Sequence, residues 1–439
     1  MNLNSKIQRA PRAPDSHNWQ VCRIKDVARI NPATRIPKNQ LVDFFPMDAI
    51  GVNGGLSHGL QKHSSEANGY SQFRTDDVLF AKVTPCFENE KSAIGQGLAV
   101  GVALATTEVI VLRSRLNITP AFLHYRIKGL DFAVGGKNEM KGSAGLKRVP
   151  EKFVSDFRFE LPPLDDQCRI ADWLDLQTTR IDKRRALLAK KRDLLSDLKT
   201  TIISEATSFG LDRTVATKFS GIDATGSIPQ HWHIFRLKAM TSKIGSGKTP
   251  LGGSSVYSSS GTVFLRSQNI WDDGIRLNDV VYISDQIHHE MNATSVKPKD
   301  ILLNITGASI GRSALVPVGF PAANVSQHVC IIRLRNKGVA DYVALAMLSR
   351  LTKAQMAIDQ IGAARDGLNF ESIGQLPIPF PPTYDERRKI VDRVSNRVAN
   401  INRQINLIDQ LDDLLQQQRK AIIHEAVTGK IDLSCAVVG

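Results

Sequence analysis

GLKRVPEKFVSDFRFELPPLDDQCRIADWLD, residues 145–175, returns in altered form as GLNFESIGQLPIPFPPTYDERRKIVDRV, residues 367–394. Working outward, the likeness continues at the same spacing of about 220 residues. ISEATSFGLD (203–212) matches IHEAVTGKID (423–432), and NWQVCRIKDVARI (18–30) echoes HWHIFRLKAMTSKI (231–244), with Trp19 opposite Trp232. TTEVIVLR (106–113) aligns with SQHVCIIR (326–333), and FFPMDAI (44–50) with FLRSQNI (264–270). The chain therefore consists of two copies of one unit, far longer than any solenoid repeat.

Each copy has two parts. The first mixes short β-branched or alternating runs such as EVIVLR, DVLFAKV, DILLNIT and HVCIIRLR with Gly, Pro, Asn and Ser clusters. One helix is expected in each copy, around 119–127 and 340–350, so the class is α+β. The second part follows a Pro-Pro stop, Leu161-Pro162-Pro163-Leu164 or Phe380-Pro381-Pro382-Thr383, that leads into an acidic first turn. About forty residues without Gly or Pro come next.

In the first copy Ile170, Leu174, Gln177, Ile181, Arg184, Leu188, Lys191, Leu195, Leu198 and Ile202 step by four and three. In the second, Val391, Val394, Val398, Ile401, Ile405, Ile408, Asp412, Leu415, Arg419 and Ile422 do the same. These heptad seams predict two long helices of about 60 Å that pack against each other. Two equivalent helices related by a pseudo-twofold axis pair antiparallel. The expected domains are globular residues 1–163, a helix over 164–212, globular residues 213–382 and a helix over 383–439.

The 439 residues carry a formal charge of +14. Residues 1–163 hold 22 Lys and Arg against 15 Asp and Glu, and 213–382 hold 17 against 11, whereas the helical parts hold 9 against 9 and 9 against 8. General basicity would have spread over all four segments. The split points the globular parts at a polyanion, double-stranded DNA, and the helices at protein. Two similar but non-identical basic modules suit a two-part asymmetric site, since identical readers require a palindrome. Cys22, Cys86, Cys168, Cys330 and Cys435 are scattered without a CxxC pair, which fits a reducing compartment. MNLNSKIQRAPRAP lacks the apolar stretch of a signal peptide, and LAVGVALA (98–105) is too short to span a bilayer. No membrane association is expected, and the location expected is cytoplasmic.

Chemistry is scarce. TSKIGSGKTP (241–250) ends like a phosphate-binding loop, yet Ser242 stands where its first glycine is needed, and Pro250, Gly252 and Gly253 follow where a helix must begin. An Asn/Asp-Pro-Pro-aromatic methylation tetrapeptide is missing, as is a dinucleotide fingerprint, and GVNGG (51–55) reads as a hairpin-like loop. Asp77 with Lys82 is too loose a pairing to define a nuclease. His231, His233, His288 and His289 lack the partners of a metal site, so no catalytic residue and no metal site are expected. Base reading uses Arg, Lys, Asn, Gln, Ser or Thr on exposed loops. The candidates are Arg74, Lys82, Asn89, Lys91, Lys147 and Arg148 in the first copy, and Lys248, Thr249, Arg266, Gln268, Asn269, Asn324, Gln327 and His328 in the second. KRR (183–185) and KKR (190–192) share one helix face, read as solvated.

FAKVTPCFENEKSAIG (80–95), ATTEVIVLR (105–113), GSAGLKRVP (142–150), NITGASIGRSAL (304–315) and the two Pro-Pro-acidic helix starts together resemble the specificity subunit of type I restriction-modification systems, over nearly the whole chain. IGSGKTP is similar to the small-residue Thr-Pro loop near the start of its target recognition domains. Glu90 stands where that family usually has Gly, and Asp166-Gln167 and Asp385-Glu386 where it has Glu-Gln. The resemblance implies two target recognition domains, each reading half of a bipartite DNA site, on a two-helix coiled coil. It also implies no catalytic centre on this chain and no cofactor of its own. S-adenosylmethionine, ATP and Mg would belong to partners, two methyltransferase subunits and optionally two translocase and nuclease subunits. The rival expectations are a stand-alone endonuclease or ATPase and a coiled-coil adaptor without DNA specificity.

Overall fold

The computed structural model describes residues 19–431 except 53, 58, 144, 222–225 and 362–366. The N-terminal segment, Asn18, Asn53, Ala144 and Cys435, used above, lie outside the described residues. The chain forms two compact units, Met1–Leu188 with Asp409–Gly439, and Ala189–Ile408. Each unit thus takes part of both long helices.

In the first unit a four-stranded antiparallel sheet runs in the order Ala28–Ile30, Val109–Ser114, Val78–Ala81, Ser92–Ile94. A second sheet runs Leu60–His63, Leu41–Phe45, Val102–Ala105, Ser71–Arg74, its middle pair parallel. The Val109–Leu112 stretch of EVIVLR is apolar because both of its faces are buried. Ile110 and Leu112 face the helices together with Val78 and Phe80, while Val109 and Val111 face the second sheet together with Leu79.

The second unit repeats this layout. Its sheet runs Thr241–Ser246, Val329–Leu334, Ile301–Asn304, Ser313–Leu315. Ile301, Leu303, Cys330 and Ile332 face the helices, and Leu302, Val329 and Ile331 face the strands Thr262–Leu265 and Ala323–Val325. In each unit a short ribbon carries the chain to the Pro-Pro stop, Gln20–Arg23 against Arg158–Leu161 and His233–Arg236 against Pro377–Phe380.

Helices form at Pro120–Arg126 and Ala340–Met347 as expected, each followed by a second that the sequence reading missed, Leu130–Glu139 and Arg350–Ile361. Gly135 and Gly136 disguised the first of these. A side chain on Gly136 would stand 2.4 Å from the Phe87 ring and one on Gly135 3.0 Å from Phe153, so the glycines serve close packing within a helix.

The long helices run Leu164–Phe209 and Tyr384–Val427. In the first unit Arg185 donates from Nε and Nη2 to the Asp412 carboxylate at 2.8 and 3.0 Å, and Arg419 Nε donates to Asp182 at 3.1 Å. In the second, Lys199 Nζ donates to Asn402 at 3.1 Å. Later residues of one helix meet earlier residues of the other, so the pair is antiparallel within each unit. Ile170, Leu174, Ile181, Ile202, Val394, Ile401, Ile408 and Leu415 are buried, and Leu195, Val391, Val398 and Ile405 are half-buried against the same cores. Leu188 is half-buried as well.

Four seam assignments are corrected. Leu198, Arg184 and Lys191 are exposed, and Ile423, not Ile422, takes the fully buried position. A straight helix drifts about 20° per heptad from a 3.5 repeat, so a rigid four-three stepping slips off the interface. Trp19 and Trp232 lock the helix ends. A side chain on Gly429 or on Gly210, at φ +69° and +76°, would meet the respective indole at 3.3 Å.

Candidate nucleic-acid interface

A buried ion pair frames each unit. Arg113 donates from Nε and Nη2 to both oxygens of Asp77 at 2.8 and 2.7 Å, and Asp77 also accepts from the Arg74 backbone N–H at 2.8 Å. Arg333 does the same to Asp300 at 2.7 and 2.7 Å, with the Lys297 N–H at 2.8 Å. Each pair ties the last residues of one central strand to the loop before its neighbour. Asp77 is thereby spent on structure, which removes the nuclease pairing with Lys82.

Loops converge at the end of these central strand pairs opposite the ion pairs. In the first unit Lys82 follows Val78–Ala81, its backbone N–H donating to Glu108 O at 2.9 Å and its carbonyl accepting from Val149 N at 2.8 Å. Arg148 donates from Nε and Nη2 to the two Glu108 oxygens at 2.8 and 2.6 Å. This contact, with the added charge of Lys82, holds the Glu108 carboxyl below its usual range. Asn89 and Lys147 are exposed in the flanking turns. Arg74 is exposed but precedes the strand that Lys82 follows, so the two are not brought together.

The second unit gathers Lys248, Arg266 and His328 in the same way. Lys248 N donates to Val325 O at 3.1 Å, Ser326 N to Leu265 O at 2.9 Å and Ile305 N to His328 O at 3.0 Å. Arg266 Nη2 is tethered to Asp279 O at 2.8 Å, and His328 Nδ1 lies 2.6 Å from Thr306 Oγ1. Gln268 and Gln327 are exposed and Thr249 half-exposed alongside.

Three candidates are withdrawn. Asn269 is fully buried, bonding Arg266 N and the carbonyl of Arg276 at 2.9 and 3.1 Å. Asn324 is fully buried between Met291 O, at 2.9 Å, and His288. Lys91 Nζ donates to Met47 O at 2.7 Å, so it closes a loop. Buried polar groups are hydrogen-bonded, and these spend their donors inside the protein.

The sequence reading missed Glu108, an acid amid cations whose signal was its replacement by His328 in the second copy. It also missed Trp271, whose ring lies between the guanidinium groups of Arg276 and Arg312 at 3.9 and 4.0 Å. The Gly-Lys-Thr run makes no phosphate cradle. Residues Thr241–Ser246 are a strand, and Gly247 lies so close to Val325 O that a side chain there would stand 1.8 Å from it. Glu90 occupies the left-handed region, φ 58°, where glycine is favoured, and pairs with Lys420 at 2.8 Å. His231 pairs with Glu386 at 3.0 Å. Among the described residues no group of three or more His, Cys, Asp or Glu is placed to hold a metal, and no helix is long and apolar enough to cross a membrane.

Residues 229–411 match the family described as Type I restriction modification DNA specificity domain. The chain is 36% identical over 158 residues to the type I restriction enzyme EcoEI specificity subunit of Escherichia coli and 37% over 161 residues to its EcoAI counterpart, spanning about a quarter of their lengths, 26% and 27%. It is 24% identical to the EcoBI specificity subunit of the same organism over 88% of this chain and 85% of that one. A chain solved in a study of complex assembly and conformational transition of the type I R-M system superposes with a TM-score of 0.68 at 18% identity, covering 96% of this chain and all of that one. With its duplicated α+β units and antiparallel helices the chain shares the fold of that solved chain, and its residues 229–411 are similar to the type I restriction modification DNA specificity domain.

Proposed function

We propose that this chain selects a bipartite, asymmetric DNA sequence for a type I restriction-modification complex, each unit reading one half-site. The observation that carries this is a common frame with different chemistry at equivalent loop positions. Lys82, Glu108 and Arg148 in the first unit stand where Ile305, His328 and Gly367 stand in the second. Two readers of one geometry but different lining select two different half-sites. The excess positive charge on the globular parts supplies phosphate affinity.

The chain itself is non-catalytic in this proposal and works in the cytoplasm. S-adenosylmethionine, ATP and Mg belong to the methyltransferase and the translocase and nuclease subunits. The long helices offer those partners exposed leucines. Leu187 and Leu194 on one helix, and Leu407 and Leu414 on the other, lie seven residues apart and are more than half exposed.

Single-molecule sequencing of DNA methylation tests this in a host carrying the chain beside its methyltransferase, against a deletion of the chain alone. The expected result is loss of one bipartite asymmetric motif. An unchanged methylome refutes the proposal and favours an adaptor or a stand-alone enzyme.

A further inference from the structure

We infer that the hairpin Lys141–Ser143 with Leu146–Arg148 enters the DNA major groove and that Arg148, held by Glu108, reads a guanine in one half-site. The inference rests on the function proposed above and adds to it a reading element and a base.

The described residues of the hairpin lie outside the hydrophobic cores. Its two strands pair with each other as a separate sheet, and all six of their residues are exposed, Leu146 by 56%. An isolated two-stranded ribbon is marginal by itself, yet this one is fastened. Thr84 N donates to Lys147 O at 2.9 Å, and Thr84 Oγ1 donates to Gly145 O at 2.7 Å and accepts from Lys147 N at 3.0 Å. Gly142, at φ 144°, leaves no room for a side chain, which would stand 2.2 Å from Leu146 O. The result is an exposed ribbon, fastened through Thr84, that bears Lys141, Lys147 and Arg148. Its width suits the major groove, which admits a two-stranded ribbon, and its charge suits DNA.

The Arg148 guanidinium is aimed. Of its five N–H donors, Nε and one on Nη2 are taken by Glu108. The three that remain lie at the outer end, on Nη1 and Nη2, where two of them form the fork that matches guanine O6 and N7. Glu108 is itself fixed, because its carbonyl accepts from Lys82 N at the start of the strand Val109–Ser114. It is a positioning residue, since an arginine already held in place loses less rotamer freedom on binding. In the second unit the bond from Leu368 N to Ile305 O matches that from Val149 N to Lys82 O, so His328 and Gly367 stand at these places and the guanine contact belongs to one half-site.

The test substitutes Arg148→Ala, Arg148→Lys and Glu108→Gln in the full chain, within the complete complex in its host, and reads methylated motifs genome-wide. We expect the bipartite layout and one half-site to persist, while preference for guanine at one position of the other half-site falls roughly tenfold to a hundredfold with either Arg148 variant. Glu108→Gln should loosen preference at that same position to a smaller extent. Should Arg148→Ala abolish methylation, Arg148→Lys decides, because it keeps the charge and lacks the fork. An unchanged motif in Arg148→Lys, a change in both half-sites, or no methylation with either Arg148 variant overturns the inference. A wild-type methylome independent of the chain would instead overturn the proposed function beneath it.

Discussion

The two units share a frame and differ in what they bury around it. Asp77–Arg113 and Asp300–Arg333 are superimposable in chemistry, down to the backbone N–H that completes each carboxylate. Around them the first unit buries His124, Arg126, Lys128 and Arg419, whereas Asp300 is the only buried charged residue of the second among the described residues. The difference teaches that duplication preserved the parts that set strand register and released the parts that meet the long helices and the loops. The proposed reading of two unlike half-sites needs that division, with one scaffold and two linings.

The shared frame is tested first, and the effect is the largest expected. Removing one partner of a buried pair leaves an uncompensated charge, which costs about 3–5 kcal/mol. Asp77→Ala and Asp300→Ala should each destabilise by that amount, with the loss of hydrogen-exchange protection confined to the unit that carries the change. Unequal costs would mean that the two pairs do not do the same job. Next comes Gly247→Ala, where the added methyl meets Val325 O. Overpacking against backbone costs about 1–3 kcal/mol. Methylation mapping should show weakened selection at one half-site with the other intact. Indifference to this change would mean the loop relaxes freely and takes no part in reading.

Much of this architecture was legible from the chain alone because the strongest signals were repeated. The Pro-Pro stops, the heptads and the doubly buried strands each occur twice, so chance likeness was improbable. Side-chain fate was less legible. Asn269 and Asn324 look like base readers in a sequence because a polar residue that anchors a turn and one that faces DNA have the same composition. Only burial separates them. Arg184 was placed in the seam where Arg185 makes the contact, since one residue of helix rotation is about 100°. The negative charge of Glu108 gives no sign of DNA contact in the sequence, although an acid beside Arg148 is what gives that arginine a direction.

The buried cations of the first unit predict a stronger pH dependence than that of the second, where burial and then the charge of Arg333 push Lys243 down as well. Burial, then the charge of Arg419, pushes Lys128 down to about 7, and burial, then the charge of Lys128, pushes His124 well below the ordinary imidazole range. Unfolded, these groups titrate near about 10.4 and about 6.5. The folded unit therefore binds fewer protons than the unfolded chain. Its stability rises with pH between about 7 and about 10 through Lys128, and falls further below about 6.5 through His124. Lys128→Met should raise the stability of the first unit at neutral pH by the order of 1 kcal/mol and flatten the rise above pH 7, at the expense of the bond from Nζ to Val52 O. Hydrogen exchange followed separately in each unit measures both effects, and an equal slope in the second unit would remove their assignment to this cluster.

The smallest effect separates the two helix contacts. The first unit joins its helices with the ion pair Arg185–Asp412, the second with the Lys199–Asn402 hydrogen bond, which has one charged partner. Both Arg185 and Asp412 are about one-third exposed, at 32% and 35%, so water and salt screen the attraction. The hydrogen bond from Arg185 keeps the Asp412 carboxyl below its usual range. Exposed pairs contribute about 0.2–1 kcal/mol, and a double-mutant cycle on Arg185→Ala and Asp412→Ala should return a coupling near about 0.5 kcal/mol. Raising the salt from 0.05 to 0.5 M should shrink this coupling, while the coupling of Lys199 to Asn402, which lacks a second charge, should hold. If both couplings respond to salt alike, the two contacts are equivalent, and the divergence between the units does not extend to them.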